Sequence, residues 1–155
     1  MSLAARIRSI HPAIILMALD AFGFAVASYL SVVELQGQLP YCGPLSGCET
    51  VALSEYARIG GPEGLPVAVL GVFLSAALFA FAFVWWRTNA TWALAAHYFL
   101  SLVGMLFEVY FTFVEIFIIH AVCIWCALYG LSLVLRFIIS AIVWFRRPKG
   151  APEAA

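Results

Sequence analysis

Cys123-Ile124-Trp125-Cys126 places two thiols at i and i+3, where a helix presents them on one face. Helix geometry sets their Cα atoms roughly 5 Å apart, within reach of a disulfide. The pair opens a long apolar run, so Cys123 falls at a helix start. The unpaired N–H groups and positive dipole end there favour a thiolate. Cys126 lies one turn deeper, where apolar surroundings keep it protonated and beside a lipid-soluble partner. Two more cysteines, Cys42 and Cys48, have five residues between them in a segment broken by Pro40, Gly43 and Pro44. Those breakers predict a mobile, exposed Cys42. Cys48 should gain dipole help from a short helix, partly offset by Glu49. Two such pairs suit sequential thiolate attack through mixed disulfides, the loop pair swinging between an outside partner and the C-x-x-C.

Static staples and a zinc site would use the same four residues. A C-x-x-C within one helix closes almost no loop and stabilises little. The wider pair is poorly spaced for a zinc knuckle, and zinc would have to draw Cys126 out of the membrane. Redox chemistry without a metal is the stronger reading.

The elements that position these thiols must be membrane helices. The chain has 155 residues, is 65% hydrophobic and only 10% charged, and thus carries more apolar surface than a small soluble core could bury. Its net charge of zero argues against a nucleic-acid partner. Spans are expected at about 10–35, 65–86, 93–119 and 122–145, in a single domain covering 1–155. A secretory signal cut after Ala25-Val26-Ala27 is the rival for the first run, but that run is long and carries Asp20 in its middle. The fold class is an all-α membrane protein, a four-transmembrane-helix bundle capped by an external loop at 36–64. Within that loop Ser46 and Glu49 fit a capping box. Val51, Ala52, Tyr56 and Ile59 would form the apolar face of a lid helix ending at Gly60-Gly61-Pro62. Trp85, Trp86 and Trp92 bracket the tight Arg87-Thr88-Asn89-Ala90 connection, as interfacial aromatics do.

Four spans put both termini on one side. Arg6, Arg8, Arg87, Arg146, Arg147 and Lys149 flank that side, with Arg136 in the same half of the last span. Opposite them, Arg58 stands alone among Glu34, Glu49, Glu55 and Glu63. The positive-inside rule makes the termini cytoplasmic and turns all four cysteines to the exterior, where disulfides persist.

A four-span chain with C-x5-C in its first external loop and C-x-x-C opening span four resembles the vitamin K epoxide reductase family, in its bacterial branch. The stretch from Cys48 to Ala57, then Gly60-Gly61-Pro62 and Pro66 to Gly71, is similar to that family's loop and second span. The resemblance implies a disulfide-generating enzyme of the bacterial inner membrane. It would reoxidise a thioredoxin-like, DsbA-like exported oxidase and pass the electrons to a membrane quinone, ubiquinone or menaquinone. Cys42 would meet the partner, Cys48 would relay to Cys123, and Cys126 would face the quinone. Ser54 falls where the family has a serine or threonine near its active site. Many relatives carry a fused thioredoxin-like domain. This chain stops at Ala155, so its partner is expected to be a separate protein. Eukaryotic members have a tyrosine and an asparagine where Gly130 and Val67 stand, with Tyr129 displaced by one, which speaks against vitamin K epoxide as substrate. The other quinone-linked disulfide generator, the DsbB type, has its two cysteine pairs in the reverse order. A non-catalytic metal-binding or assembly protein of the membrane is the alternative from another class.

Ionisable residues inside spans are functional candidates. Asp20, Glu108 and Glu115 qualify, and Glu108 and Glu115, seven apart, share a helix face. Glu115, near the outer surface, and His120, three residues before Cys123, are candidates for proton transfer. Tyr129 and Ser54 are candidates for substrate contact. The many Phe and Trp side chains read as lipid-facing bulk rather than a quinone box.

Overall fold

The computed structural model describes residues 11–43, 47–61 and 64–146. Four helices are long and apolar enough to cross a membrane. Helix α1 spans Pro12–Leu35. His11 caps it, its Nδ1 accepting the Ala13 amide at 3.3 Å, and Pro12 takes the first turn, where its missing N–H has no cost. A short helix α2 covers Gly47–Ala52, followed by a 3-10 turn at Glu55–Ala57. Helix α3 covers Val67–Thr88 and ends on Asn89 in the left-handed conformation that an asparagine tolerates. Helix α4 covers Thr91–Val114 and runs on into a π-helical turn at Glu115–Ile119. Helix α5 covers Ile124–Arg146.

The bundle is a ring in which α1 packs against α3 and α5, and α4 against the same two. Polar side chains are drawn inward and large apolar ones outward. Phe73, Val103 and Phe117 are among the many exposed hydrophobics, the distribution expected when lipid replaces water. At the end carrying Arg87 and Arg146, an apolar core of Ala13, Leu16, Ala82, Trp85, Ala93 and Leu94 closes the bundle. Trp85 thus belongs to the core and not to an interfacial belt, whereas Trp86 and Trp92 are exposed. The connection there is only Asn89-Ala90, because α3 carries on through Arg87 and Thr88.

The lid differs from the expected continuous helix. After α2 the hydroxyl of Ser54 donates to the Val51 carbonyl at 2.7 Å, competing with the backbone for the acceptor that a longer helix would use. The chain then forms a two-residue strand β1, Arg58–Ile59, antiparallel to β2, Leu65–Pro66. Arg58 reinforces it, donating to the Gly64 carbonyl at 3.3 Å and to the Glu34 carbonyl at 3.5 Å. Ser46 of the expected capping box and Pro62 of the expected helix stop lie outside the described residues, as do Arg6, Arg8, Glu63, Arg147 and Lys149.

Candidate redox site

The four cysteines meet at the lid end of the bundle. Cys42 and Cys48 form a disulfide with Cα atoms 5.9 Å apart, while Cys123 and Cys126 are free thiols. Cys48 and Cys123 share one buried cluster with Val51 and Phe111, against which Cys42, Trp125 and Cys126 pack. Gly47 is what lets α2 come so close. A Cβ at that position would collide with the backbone of Val122, immediately before Cys123.

Cys42 is half-buried rather than fully exposed. Trp125 explains this, since its indole Nε1 donates to the Tyr41 carbonyl at 2.9 Å and its ring lies 4.8 Å from that of Tyr29. The Tyr41 amide in turn donates to the Tyr29 hydroxyl at 3.3 Å. The Tyr41 side chain, 80% exposed, and Leu39 leave an apolar surface beside the disulfide.

Cys123 sits just before the first residue of α5 and behaves as its cap. The Cys126 amide donates to Cys123 Sγ at 3.4 Å, and the Ala127 amide donates to the Cys123 carbonyl at 2.9 Å. Hydrogen bonding from the Cys126 side chain, with the backbone amides of Cys126 and Trp125, holds the Cys123 thiol below the ordinary thiol range, against the opposing effects of burial and of Glu115. The expected help from the helix start is the smaller part of this effect, and the neighbouring Cys126 side chain is the larger.

Glu115 is buried at the same place. Its Oε2 accepts the Cys123 amide at 3.4 Å, and its Oε1 is buried without a hydrogen-bond partner among the described residues. The π-helical turn accounts for this placement by widening the last turn of α4, so that Glu115 points inward while Ile116 and Phe117 remain exposed. The turn closes on His120, left-handed at φ 56°, and the Glu115 carbonyl accepts the Ala121 amide at 3.0 Å. The His120 ring is exposed and bonds the Ile118 carbonyl at 3.2 Å.

Below the thiols lies a cavity of about 260 Å³. Cys48, Cys123 and Cys126 all contribute to its wall, with Glu34, Glu108 and Tyr129 as its other polar groups and Phe107, Phe111, Val103 and Leu70 among its apolar ones. Ser54 is not in this wall; its hydroxyl is spent on Val51. Glu108 occupies the space left by the missing side chain of Gly130, since a Cβ there would meet its carboxylate. Leu70, Val103 and Phe107, from α3 and α4, are exposed as well as lining the cavity. A family model, the vitamin K epoxide reductase family, matches residues 14–141, a segment that contains all four cysteines and every wall residue of the cavity. The chain belongs to the vitamin K epoxide reductase family.

Vitamin K epoxide reductase family members are oxidoreductases linked to quinones and thiols, so the chain is a multi-pass membrane protein of that class. No curated protein matches the chain individually. The cavity fits a quinone on its own terms. Its walls are apolar and partly aromatic, Glu34 Oε2 is buried without a hydrogen-bond partner among the described residues, and the Tyr129 hydroxyl lies in the wall, donating to the Gly71 carbonyl at 3.1 Å.

The spacing of the cysteines did not reveal a second polar group, in the middle of the bundle. Asp20, Ser75, His97, Ser132, Arg136 and Ser140 are all buried there. Asp20 pairs with Arg136 at 3.4 Å and with His97 at 3.3 Å, and His97 Nδ1 bonds Ser140 Oγ at 2.8 Å. One signal was available. Ser132, Arg136 and Ser140 recur every four residues, which places them on one face of α5.

Proposed function

We propose that the protein is a quinone-dependent thiol oxidoreductase that generates disulfides in exported proteins. A thioredoxin-like, DsbA-like oxidase delivers its electrons at Cys42, where the exposed Tyr41 and Leu39 offer an apolar docking edge. Partner thiolate attack opens the Cys42–Cys48 bond through a mixed disulfide, and the released Cys48 thiolate attacks Cys123 of the Cys123–Cys126 disulfide, freeing Cys126. The partner's second thiol then displaces Cys42 as the partner's own disulfide forms, and the freed Cys42 thiolate attacks Cys48 and releases Cys123. This leaves Cys42–Cys48 oxidised and Cys123 and Cys126 reduced, the distribution of bonds found in the structure. Cys126, in the cavity wall, hands the electrons to a membrane quinone, which supplies the two-electron acceptor when bound. Glu115, buried against the Cys123 amide with its Oε1 unpartnered among the described residues, takes up a thiol proton as the disulfide forms. The observation that carries this reading is that the cavity wall holds Cys48, Cys123 and Cys126 together, so that loop chemistry and lipid-soluble chemistry meet in one place.

The positive charges along the terminal side make that side cytoplasmic and the thiol end exterior, in a bacterial inner membrane. Gly130 and Val67, standing where eukaryotic members have their tyrosine and asparagine, favour a quinone over vitamin K epoxide as the acceptor.

Cys126→Ala tests the assignment in membranes supplied with quinone and a reduced dithiol partner. Quinone reduction should be lost, and mixed disulfides between Cys48 and Cys123 should accumulate on non-reducing gels. Quinone-dependent oxidation of the partner that survives Cys126→Ala would sink the proposal.

A further inference from the structure

The buried polar group on the bundle axis is costly to build, and its position relative to the cavity gives it a role. Asp20, Ser75, His97 and Arg136 come from α1, α3, α4 and α5 in turn, and each is 0% exposed. Room for the guanidinium is made by Gly23, one turn along from Asp20, where any Cβ would collide with Arg136. Arg136 donates through one terminal nitrogen to Ser132 Oγ at 2.7 Å and through the other to Ser75 Oγ at 3.4 Å. Ser75 Oγ lies 3.3 Å from the Tyr129 hydroxyl, which donates to the Gly71 carbonyl at 3.1 Å. The guanidinium carbon is 5.6 Å from the centre of the Tyr129 ring.

These bonds have a direction. An arginine only donates, so Ser75 accepts from it, and because the single Tyr129 proton goes to the Gly71 carbonyl, Ser75 is the donor in its contact with Tyr129. Tyr129 then turns its proton to Gly71, and both residues belong to the cavity wall. A positive charge at one end of such a chain polarises every link toward the last proton. We propose that Arg136, held by Asp20 and Gly23 and acting through Ser75, is a positioning residue that makes the Tyr129 hydroxyl a strengthened donor, which turns from the Gly71 carbonyl in the cavity wall to a carbonyl oxygen of the bound quinone. This deepens the reading of the cavity given above and rests on it. When Cys123 and Cys126 form their disulfide they give up two electrons and two protons, and a quinone that takes both becomes the quinol. The protons balance inside the cavity, so the buried group is not needed as a proton route from the far side. Negative charge that builds on the carbonyl oxygen as electrons arrive does need a prealigned donor, and water is excluded there.

The test uses the full chain in proteoliposomes with carbonyl-13C-labelled short-chain ubiquinone, and the variants Ser75→Ala and Arg136→Lys, each made in the native and the Tyr129→Phe background. Turnover, quinone KM and the infrared carbonyl stretch of bound ubiquinone are read together. In the native background both variants should lower kcat by roughly tenfold, the size of one lost charge-assisted hydrogen bond, with little change in KM. The carbonyl band should move back toward its position for free ubiquinone. In the Tyr129→Phe background, where the donor is already gone, each should change kcat by less than about twofold. A native band and native kcat in Ser75→Ala and Arg136→Lys, beside an altered Tyr129→Phe, overturn the positioning role alone. Equal losses in both backgrounds overturn it as well. A native band in Tyr129→Phe overturns the placement of the quinone and the network with it. Should Arg136→Lys fail to fold, Ser75→Ala, which removes only one buried oxygen, decides.

Discussion

Replacing Asp20 with Asn isolates the charge of the buried pair, because Asn keeps the volume and an acceptor for His97. In the native protein Asp20 and Arg136 are both fully buried and lie 3.4 Å apart. Removing the negative charge leaves Arg136 as an uncompensated cation in the middle of a membrane bundle. Insertion scales put an arginine at that depth at about 3 kcal/mol, and breaking buried pairs in soluble proteins costs a similar 3–5 kcal/mol. We therefore expect Asp20→Asn to lower stability by about 3 kcal/mol, a shift of about a hundredfold in the unfolding equilibrium. Reversible unfolding in mixed SDS micelles, followed by tryptophan fluorescence, measures it. The double variant Asp20→Asn/Arg136→Gln carries neither charge and should return to within about 1 kcal/mol of the native value, since a neutral pair avoids the desolvation of both ions. Its quinone turnover should nonetheless stay low, because Tyr129 has lost its polarising cation. A loss below about 0.5 kcal/mol in the single variant, or a double variant no more stable than the sum of the two single ones, would refute the reasoning about the pair.

Two further outcomes follow from the thiol end. The Cys126 side chain is the largest cause holding the Cys123 thiol below its usual range, so deleting it removes thiolate stabilisation. The pH midpoint for alkylation of Cys123 should rise toward the ordinary value of about 8.5 in Cys126→Ala, and the thiolate should be lost at a higher pH as acid is added. An unchanged or lower midpoint contradicts that cause. Gly47→Ala should destabilise the lid by about 1–3 kcal/mol, since the backbone of Val122 cannot yield to a Cβ, and should slow exchange between Cys48 and Cys123. Stopped-flow reduction by a dithiol at native speed would show that this close approach does not set the distance between the two thiols.

Much of the fold was legible because a membrane imposes it locally. The four spans, to within about two residues at most ends, follow from apolar run length alone. The lid was legible only in part. Its first turns form a helix, but the bond from Ser54 to Val51 and the pairing of Arg58 with Pro66 depend on neighbours that no periodicity encodes. Asp20 and Arg136 could each be placed in the same half of the membrane from the sequence, yet nothing in either run says that they face one another. Glu115 was marked by its charge. Its approach to Cys123 and Cys126 needed the π-helical turn, which rotates it away from the lipid-facing side chains around it.

The sequence by itself determined that this chain crosses a membrane four times, that its two thiol pairs fall toward one end, and which family it resembles. Each of these is carried by residue type and by separation along the chain, and the bilayer converts such local facts into topology. Only the tertiary structure decided how each helix is rotated about its own axis. Rotation selects which polar side chains share the bundle axis, and it puts Cys48, Cys123 and Cys126 around one cavity, with Arg136 behind Tyr129. Apolar residues cover almost every face of these helices, so hydrophobic pattern could not choose the inward face. The choice fell to the few groups that lipid cannot solvate and to the glycines, Gly23 and Gly47, that let them approach.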